Sequence, residues 1–344
     1  YIKCPFSYYI NYGINPQVRK NEKLDNLKSG NIMHKYMEEF SKEILQNDTI
    51  LSLDTKEKID DFVEKIYSKE DFFEKNVKLV TDSSKRQMNI VNKLKKISKK
   101  ATNIIIEQKK SSSFKTVYSE KEIKYDLDDI LFSGKIDRVD EVEKDGKEYV
   151  QIIDYKSSVK SISFEDIYNG LNIQMLFYLY VLSQEDKNPY GVLYFPMLDK
   201  KVEINDDIED LEEKLRETMK MNGIFLDDLS LLKAFENDID SYSKYTNASI
   251  KKDKVSEECS VTNDEMKKLL KKVVDIIREN THKMLDGNII PSPMGDSTCV
   301  YCDYKNICKF DESIEGFEKK KIEKLRPRAK KQDFFEKIEE KREV

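Results

Sequence analysis

"VQIIDYKSS", residues 150–158, begins as a buried strand and ends as a chemical problem. Val150, Ile152 and Ile153 suit the inside of a sheet, and Asp154 and Lys156 then follow two residues apart. Strand side chains alternate with period 2, so this acid and this ammonium share a face. A partly buried charge needs a partner or a task. The preceding strand brings one to it. Asp145-Gly146, between strands at 130–142 and 147–158, is a two-residue hairpin turn. With those two residues as the loop, Lys144 opposes Lys147, and counting back along both strands sets Asp137 opposite Asp154. Opposed residues in an antiparallel pair have Cα atoms about 4.5–5.5 Å apart, and like charges placed so destabilise a sheet. A divalent cation turns that penalty into a binding site, and two carboxylates with water and phosphate oxygens suit Mg²⁺ or Mn²⁺. Lys156 would then orient a water or offset charge on a phosphate. The plain alternative makes Asp137 and Asp154 exposed strand residues paired with Arg138 or Lys156, and a β-bulge would break the register.

The rest of the chain reads outward from this hairpin. Another strand, 116–127, precedes it, and "YGVLYFPML" (190–198) follows the almost wholly apolar helix 169–184, which must be buried. Residues 1–20 suggest a short aromatic helix ended by Gly13. Ile32, Tyr36, Phe40 and Ile44 form one stripe of a helix over 29–46, with His34 beside it. Residues 55–110 read as two or three charged helices, and the basic run "SKRQMNIVNKLKKISKK" within them as a solvated face rather than a nucleic-acid contact. Residues 205–260 read as a polar insertion of some helix and loop. Thr262 and Glu265 form a capping box for a helix over 263–286, ended by Gly287. A cysteine-containing loop follows at 291–310. Residues 1–317 thus form one domain, and 318–344 a charged, weakly patterned tail.

At 344 residues and 38% hydrophobic, the chain can bury a large core. Its 61 basic residues nearly balance 66 acidic ones, so any path for DNA must be local. There is no membrane-length apolar run and no signal sequence, which points to the cytoplasm. The start at Tyr1-Ile2-Lys3-Cys4, inside patterned sequence, reads as a piece of something longer.

With these residues in view, the sequence resembles the RecB-like branch of the PD-(D/E)xK nuclease superfamily. "GKIDRVD" holds Asp137, "IIDYKSS" holds Asp154-x-Lys156, "GLNIQMLFYLYVL" carries a Gln174-x-x-x-Tyr178 motif, and "GNIMHKYMEEF" a Gly30-x-x-x-His34 motif. Their order along the chain makes the set specific. The resemblance implies an α/β, restriction-endonuclease-like fold, a mixed central sheet flanked by helices, with helical insertions at about 55–110 and 205–260. It implies a metal held by His34, Asp137, Asp154 and the Tyr155 backbone carbonyl, with Lys156 assisting the attacking water. Gln174 and Tyr178 would line the site, contacting DNA or supporting Lys156. Glu120 loosely resembles an acidic residue that often precedes the hairpin.

Cys299, Cys302 and Cys308 are spaced C-x₂-C-x₅-C, with Cys4 at the other end of the chain. Four thiolates suit either tetrahedral Zn²⁺ or a [4Fe-4S] cluster, and spacing does not separate the two. The same one-plus-three arrangement bracketing a RecB-like core resembles the iron-sulfur staple of the AddB family and of CRISPR adaptation nucleases. That resemblance favours [4Fe-4S], with a structural role joining the chain ends. Cys259 reads as a free thiol and His282 as a surface residue.

The resemblance to the AddB family runs from residue 1 to about Phe310 and includes "MKMNGIFLDDLSLLKAFE". It implies Mg²⁺-dependent exonuclease action on single-stranded DNA, cutting the strand of 5′ to 3′ polarity, within the AddAB helicase-nuclease that prepares double-strand breaks for recombination, with AddA as partner. No Walker-type motif occurs in this chain, so ATP binding is not expected of it. The alternatives are a stand-alone iron-sulfur exonuclease of the CRISPR type, a DNA-binding module that does not cut, and a zinc-stabilised interaction domain.

Overall fold

The computed structural model describes residues 1–16, 26–46, 48–78, 85–158, 160–198, 213–214, 216–256 and 260–340. Two tight turns set the register of its central sheet. Strand β1 (Lys115–Leu127) turns into β2 (Ile130–Lys144) through Asp128 and Asp129, and β2 turns into β3 (Lys147–Lys156) through Asp145 and Gly146. All four turn residues have φ between +53° and +70°, the left-handed backbone that matches a hairpin turn to the twist of its strands. The β2–β3 ladder runs from Lys144↔Lys147 to Arg138↔Ile153 without a slip, so the next pair is Asp137 and Asp154.

The chain then crosses over through α5 (Phe164–Tyr168) and α6 (Gln174–Ser183) to β4 (Asn188–Pro196), which lies parallel to β3. Seven of the ten residues of α6 are buried, as its lack of a polar face requires. Earlier in the chain, α1 (Pro5–Tyr8) opens at Cys4, α2 (Asn26–Gln46) carries Tyr36, Met37 and Phe40 into the core, and α3 (Lys56–Ser68) packs on α4 (Lys85–Lys110). Lys95 and Lys99 of α4 pair with Glu64 and Asp60 of α3, so part of the basic run is neutralised within the fold.

Two expectations are corrected. Within 205–260, read as a polar insertion of helix and loop, β5 (Asn222–Leu226) joins the central sheet antiparallel to β4, followed by α7 (Leu229–Phe235). After a small hairpin of β6 (Ile250–Lys251) and β7 (Lys254–Val255), β8 (Ser260–Val261) pairs parallel with β5. The described sheet has six strands in the order β1-β2-β3-β4-β5-β8. Gly223 makes the β4–β5 pairing possible, since a Cβ there would collide with the Val192 carbonyl. The segment from 318, read as a charged tail, also folds back on the domain. Leu325 is buried, and helix α9 (Lys330–Glu340) inserts Phe334, Phe335 and Ile338 beside Phe164. Its physical cause is the adjacent pair Phe334-Phe335, which outweighs the surrounding charge.

The long helix α8 (Asn263–Leu285) starts where the capping box was expected. Thr262 Oγ1 accepts from the Glu265 N–H at 3.2 Å and the Glu265 carboxylate accepts from the Thr262 N–H at 2.8 Å. Its Arg278 donates to Asp128 at 2.5 Å, tying the β1–β2 turn to the helix. His282 is exposed on the same helix, 3.9 Å from Asp128. Among the described residues, no helix is long and apolar enough to cross a membrane.

Candidate active site

The pleat places Asp137 and Asp154 side by side on one face of the β2–β3 hairpin. Two contacts fix Asp137. The Tyr155 backbone N–H donates to its Oδ2 at 2.9 Å, and His34 Nδ1 of α2 lies 3.4 Å from the same oxygen. Its interaction with Asp137 raises the His34 pKa above the ordinary imidazole value, with burial opposing. Gly30, one turn earlier on α2, brings that helix close to the strand end, where a Cβ would stand 3.2 Å from Ser157 Oγ.

Asp154 is 4% exposed. Lys156 Nζ stands 2.5 Å from its Oδ2, the one close charge partner of this buried oxygen among the described residues. Burial first, and then the charge of Asp137, push the Asp154 carboxyl up to about 6, against the pull of Lys156 and His34. Burying a carboxylate with a single ammonium partner is costly, and here it faces a second carboxylate. Oxygen donors held so suit a hard divalent cation. Among the described residues, no three His, Cys, Asp or Glu groups are closed around one point as a metal site.

Gln174 and Tyr178 come together one turn apart on α6, with Gln174 Nε2 donating to the Tyr178 phenol at 2.8 Å. That phenol rests on Gly134 of β2, three residues before Asp137, where any Cβ would collide with it. Among the described residues, no hydrogen bond or ion pair joins Gln174 or Tyr178 to Asp137, Asp154 or Lys156. Glu120 has a left-handed backbone (φ +55°) within β1 and pairs with Lys135 at 2.5 Å.

Arg138 and Asp140, next to Asp137 but on the other face of β2, carry what the sequence reading missed. Both are fully buried. Arg138 grips Asp140 with two bonds, Nε at 2.8 Å and Nη2 at 2.6 Å, while Thr116 and Gln151 donate to it at 2.7 and 3.2 Å. Burial alone would raise the Asp140 pKa, but Arg138 and Lys109 hold its carboxyl well below the usual range. The pairing of Asp137 with Arg138, one form of the plain alternative, is therefore not made. The same period-2 rule that flagged Asp154 and Lys156 also applies to Arg138 and Asp140, and was the available signal.

The thiols of Cys4, Cys299, Cys302 and Cys308 line one cavity of about 420 Å³, between the start of α1 and the turns Ser297–Val300 and Lys305–Cys308. None of the four is in a disulfide. Burial and the neighbouring thiols raise the Cys299 pKa, and burial chiefly raises that of Cys308. Four soft donors converging from both chain ends fit a thiolate-bound metal or cluster in number and chemistry. Cys259 lies outside the described residues.

Fold and site together define a restriction-endonuclease-like α/β protein built around a D…D-x-K hairpin. Residues 1–309 match the PD-(D/E)XK nuclease superfamily, and the chain belongs to it. It is 35% identical, over 95% of its length, to AddB of Alkaliphilus metalliredigens, a subunit of an ATP-dependent helicase/deoxyribonuclease, and 34% over its whole length to AddB of Alkaliphilus oremlandii. The protein of the same name from Clostridium acetobutylicum is 33% identical over 92% of the chain. The chain spans about a third of the length of these curated relatives, 30%, 32% and 29% respectively.

Proposed function

We propose that this chain is the nuclease part of a two-subunit helicase-nuclease and cleaves single-stranded DNA as a metal-dependent exonuclease, in the processing of double-strand breaks for recombination. The observation that carries the reading is the buried Asp154 carboxylate, set against Asp137 and beside Lys156. In this reading Asp137, Asp154, His34 and the Tyr155 carbonyl hold Mg²⁺ or Mn²⁺, which supplies Lewis-acid activation of the phosphate and its attacking water. Lys156, released from Asp154, holds the nucleophile or offsets phosphate charge, and Gln174 with Tyr178 lines the approach to β2. The names of the relatives support a partner subunit and DNA as substrate; we assign the partner as AddA. Cys4, Cys299, Cys302 and Cys308 hold a [4Fe-4S] cluster, with Zn²⁺ the alternative, tying α1 to the loops after α8.

The test is cleavage of end-labelled single-stranded DNA by the anaerobically purified full natural chain with its copurifying partner. It is run with Mg²⁺, with EDTA, and with Asp154→Ala. Cutting that requires the metal and disappears in the variant is expected, and equal cutting by the variant refutes the site. Iron and acid-labile sulfide analysis on the same sample, with Cys302→Ser as the control, decides between cluster and zinc.

A further inference from the structure

The row that holds the two carboxylates continues across the sheet. Asp154 pairs in register with Tyr194 of β4, which pairs in turn with Asn222 of β5. Paired residues in neighbouring strands share a face, so Tyr194 lies beside the Asp154–Lys156 pair. Its ring is 6% exposed, and Lys156 Nζ stands 5.7 Å from the ring centroid. A tyrosine ring is neutral near pH 7. A neutral aromatic face attracts a cation within about 6 Å of its centroid.

This contact matters because a metal at the site would compete for the present partner of Lys156. Among the described residues, Asp154 is the one carboxylate paired with Lys156. A divalent cation held by Asp154 would compete with Lys156 for the carboxylate and repel the ammonium. Lysine is a point charge on a flexible four-carbon stem, and with its ion pair gone only a second attraction keeps it in the site. We infer that Tyr194 is a positioning residue whose ring face retains the Lys156 ammonium beside the metal when Asp154 is occupied. The inference rests on the nuclease reading above and assigns it a residue on β4 that lies outside the hairpin. Tyr194 is paired on both sides, with β3 and with β5, and is buried.

The experiment replaces Tyr194 by Phe, by Leu, and by a series of ring-fluorinated phenylalanines that drain the ring face of electron density at nearly constant size. All are made in the full natural chain with its copurifying partner, and circular dichroism and thermal midpoint are followed for each. Two quantities are read with Mg²⁺ present: kcat and KM on single-stranded DNA, and the rate of Lys156 acylation by an amine-reactive ester, measured by mass spectrometry. Phe keeps the ring and is expected to match wild type in both. Leu lowers kcat on the order of ten-fold with KM little changed, and acylation of Lys156 rises several-fold. The fluorinated series falls between them in proportion to fluorine content. A purely packing role would not follow fluorination, so a flat series, or loss of activity in Phe, overturns the inference while leaving the nuclease reading in place. If wild type does not cut, the nuclease reading fails and takes the catalytic arm with it; acylation that is equal in Leu and wild type separately overturns the retention of Lys156.

Discussion

The β2–β3 hairpin carries a buried acid on each of its two faces, and the two faces treat it differently. On one, Asp140 receives donors from Arg138, Thr116 and Gln151. On the other, Asp154 across the hairpin has, among the described residues, Lys156 as its single close charge partner and a carboxyl raised to about 6. Both acids are buried; only one is held by several donors. A network in which the acid is fully paired stabilises a particular arrangement of strands. An acid left short of partners costs stability, and that cost persists where another ligand is to complete it. Burial of charge therefore does not distinguish structure from chemistry in this sheet, whereas the tally of donors does.

The sharpest way to break this contrast is to remove one charge from each face. Asp154→Asn is expected to lower DNA cleavage on the order of 10³-fold, yet to leave the thermal midpoint unchanged or higher, since it removes a strained carboxylate. A drop in midpoint comparable to a core mutation would put Asp154 in the structural class. Asp140→Asn is expected to do the reverse. Stripping Arg138 of its buried partner should cost about 3–5 kcal/mol in denaturant unfolding, with the metal response of the remaining folded protein retained. The contrast collapses should Asp140→Asn prove as stable as wild type.

A smaller effect is expected at Gly134. Gly134→Ala places a methyl group where the Tyr178 phenol rests, so Tyr178 must move and its bond to Gln174 with it. Overpacking of this kind costs about 2 kcal/mol. If Gln174 and Tyr178 serve the reaction, kcat falls in the same variant; an unchanged kcat in the folded variant makes the pair structural.

What could be read in advance follows the range over which each feature is determined. Asp137 opposite Asp154 was legible because the two-residue turn Asp145-Gly146 fixes the register within a few residues. Tyr194 was not, because β4 reaches β3 by a helical crossover, and nothing local sets the register of a parallel neighbour. The five residues of β5 are too few to show a period, and their place in the sheet depends on Gly223 meeting β4. Arg138 and Asp140 were in plain view as i and i+2 on one strand, but a salt bridge to Asp137 competed for the same arginine. On α9, two adjacent phenylalanines among charges do not outline a helical face, and only their contact with Phe164 reveals it.

The most delicate prediction concerns Lys109, which meets Asp140 from α4. Its Nζ donates to the Phe114 carbonyl at 2.8 Å and lies 3.5 Å from Asp140. Burial lowers its pKa to about 8, with Asp140 opposing and Arg138 adding to the fall. Unfolded, the same amine has its ordinary value near 10.4. Between those two values the unfolded chain binds more protons than the native one, so stability from this group rises with pH across that window. Below pH 8 both states are protonated, and the penalty of burying the ammonium is felt in full. Wild type should therefore gain roughly 1 kcal/mol over Lys109→Met between pH 8 and 9.5, measured as the difference of two denaturant titrations so that other lysines cancel. A constant difference across that range would mean that Asp140 holds Lys109 charged in the fold. The network behind the hairpin would then be a fully ionised triad of Arg138, Asp140 and Lys109, in which the lysine shares the work of compensating the buried acid.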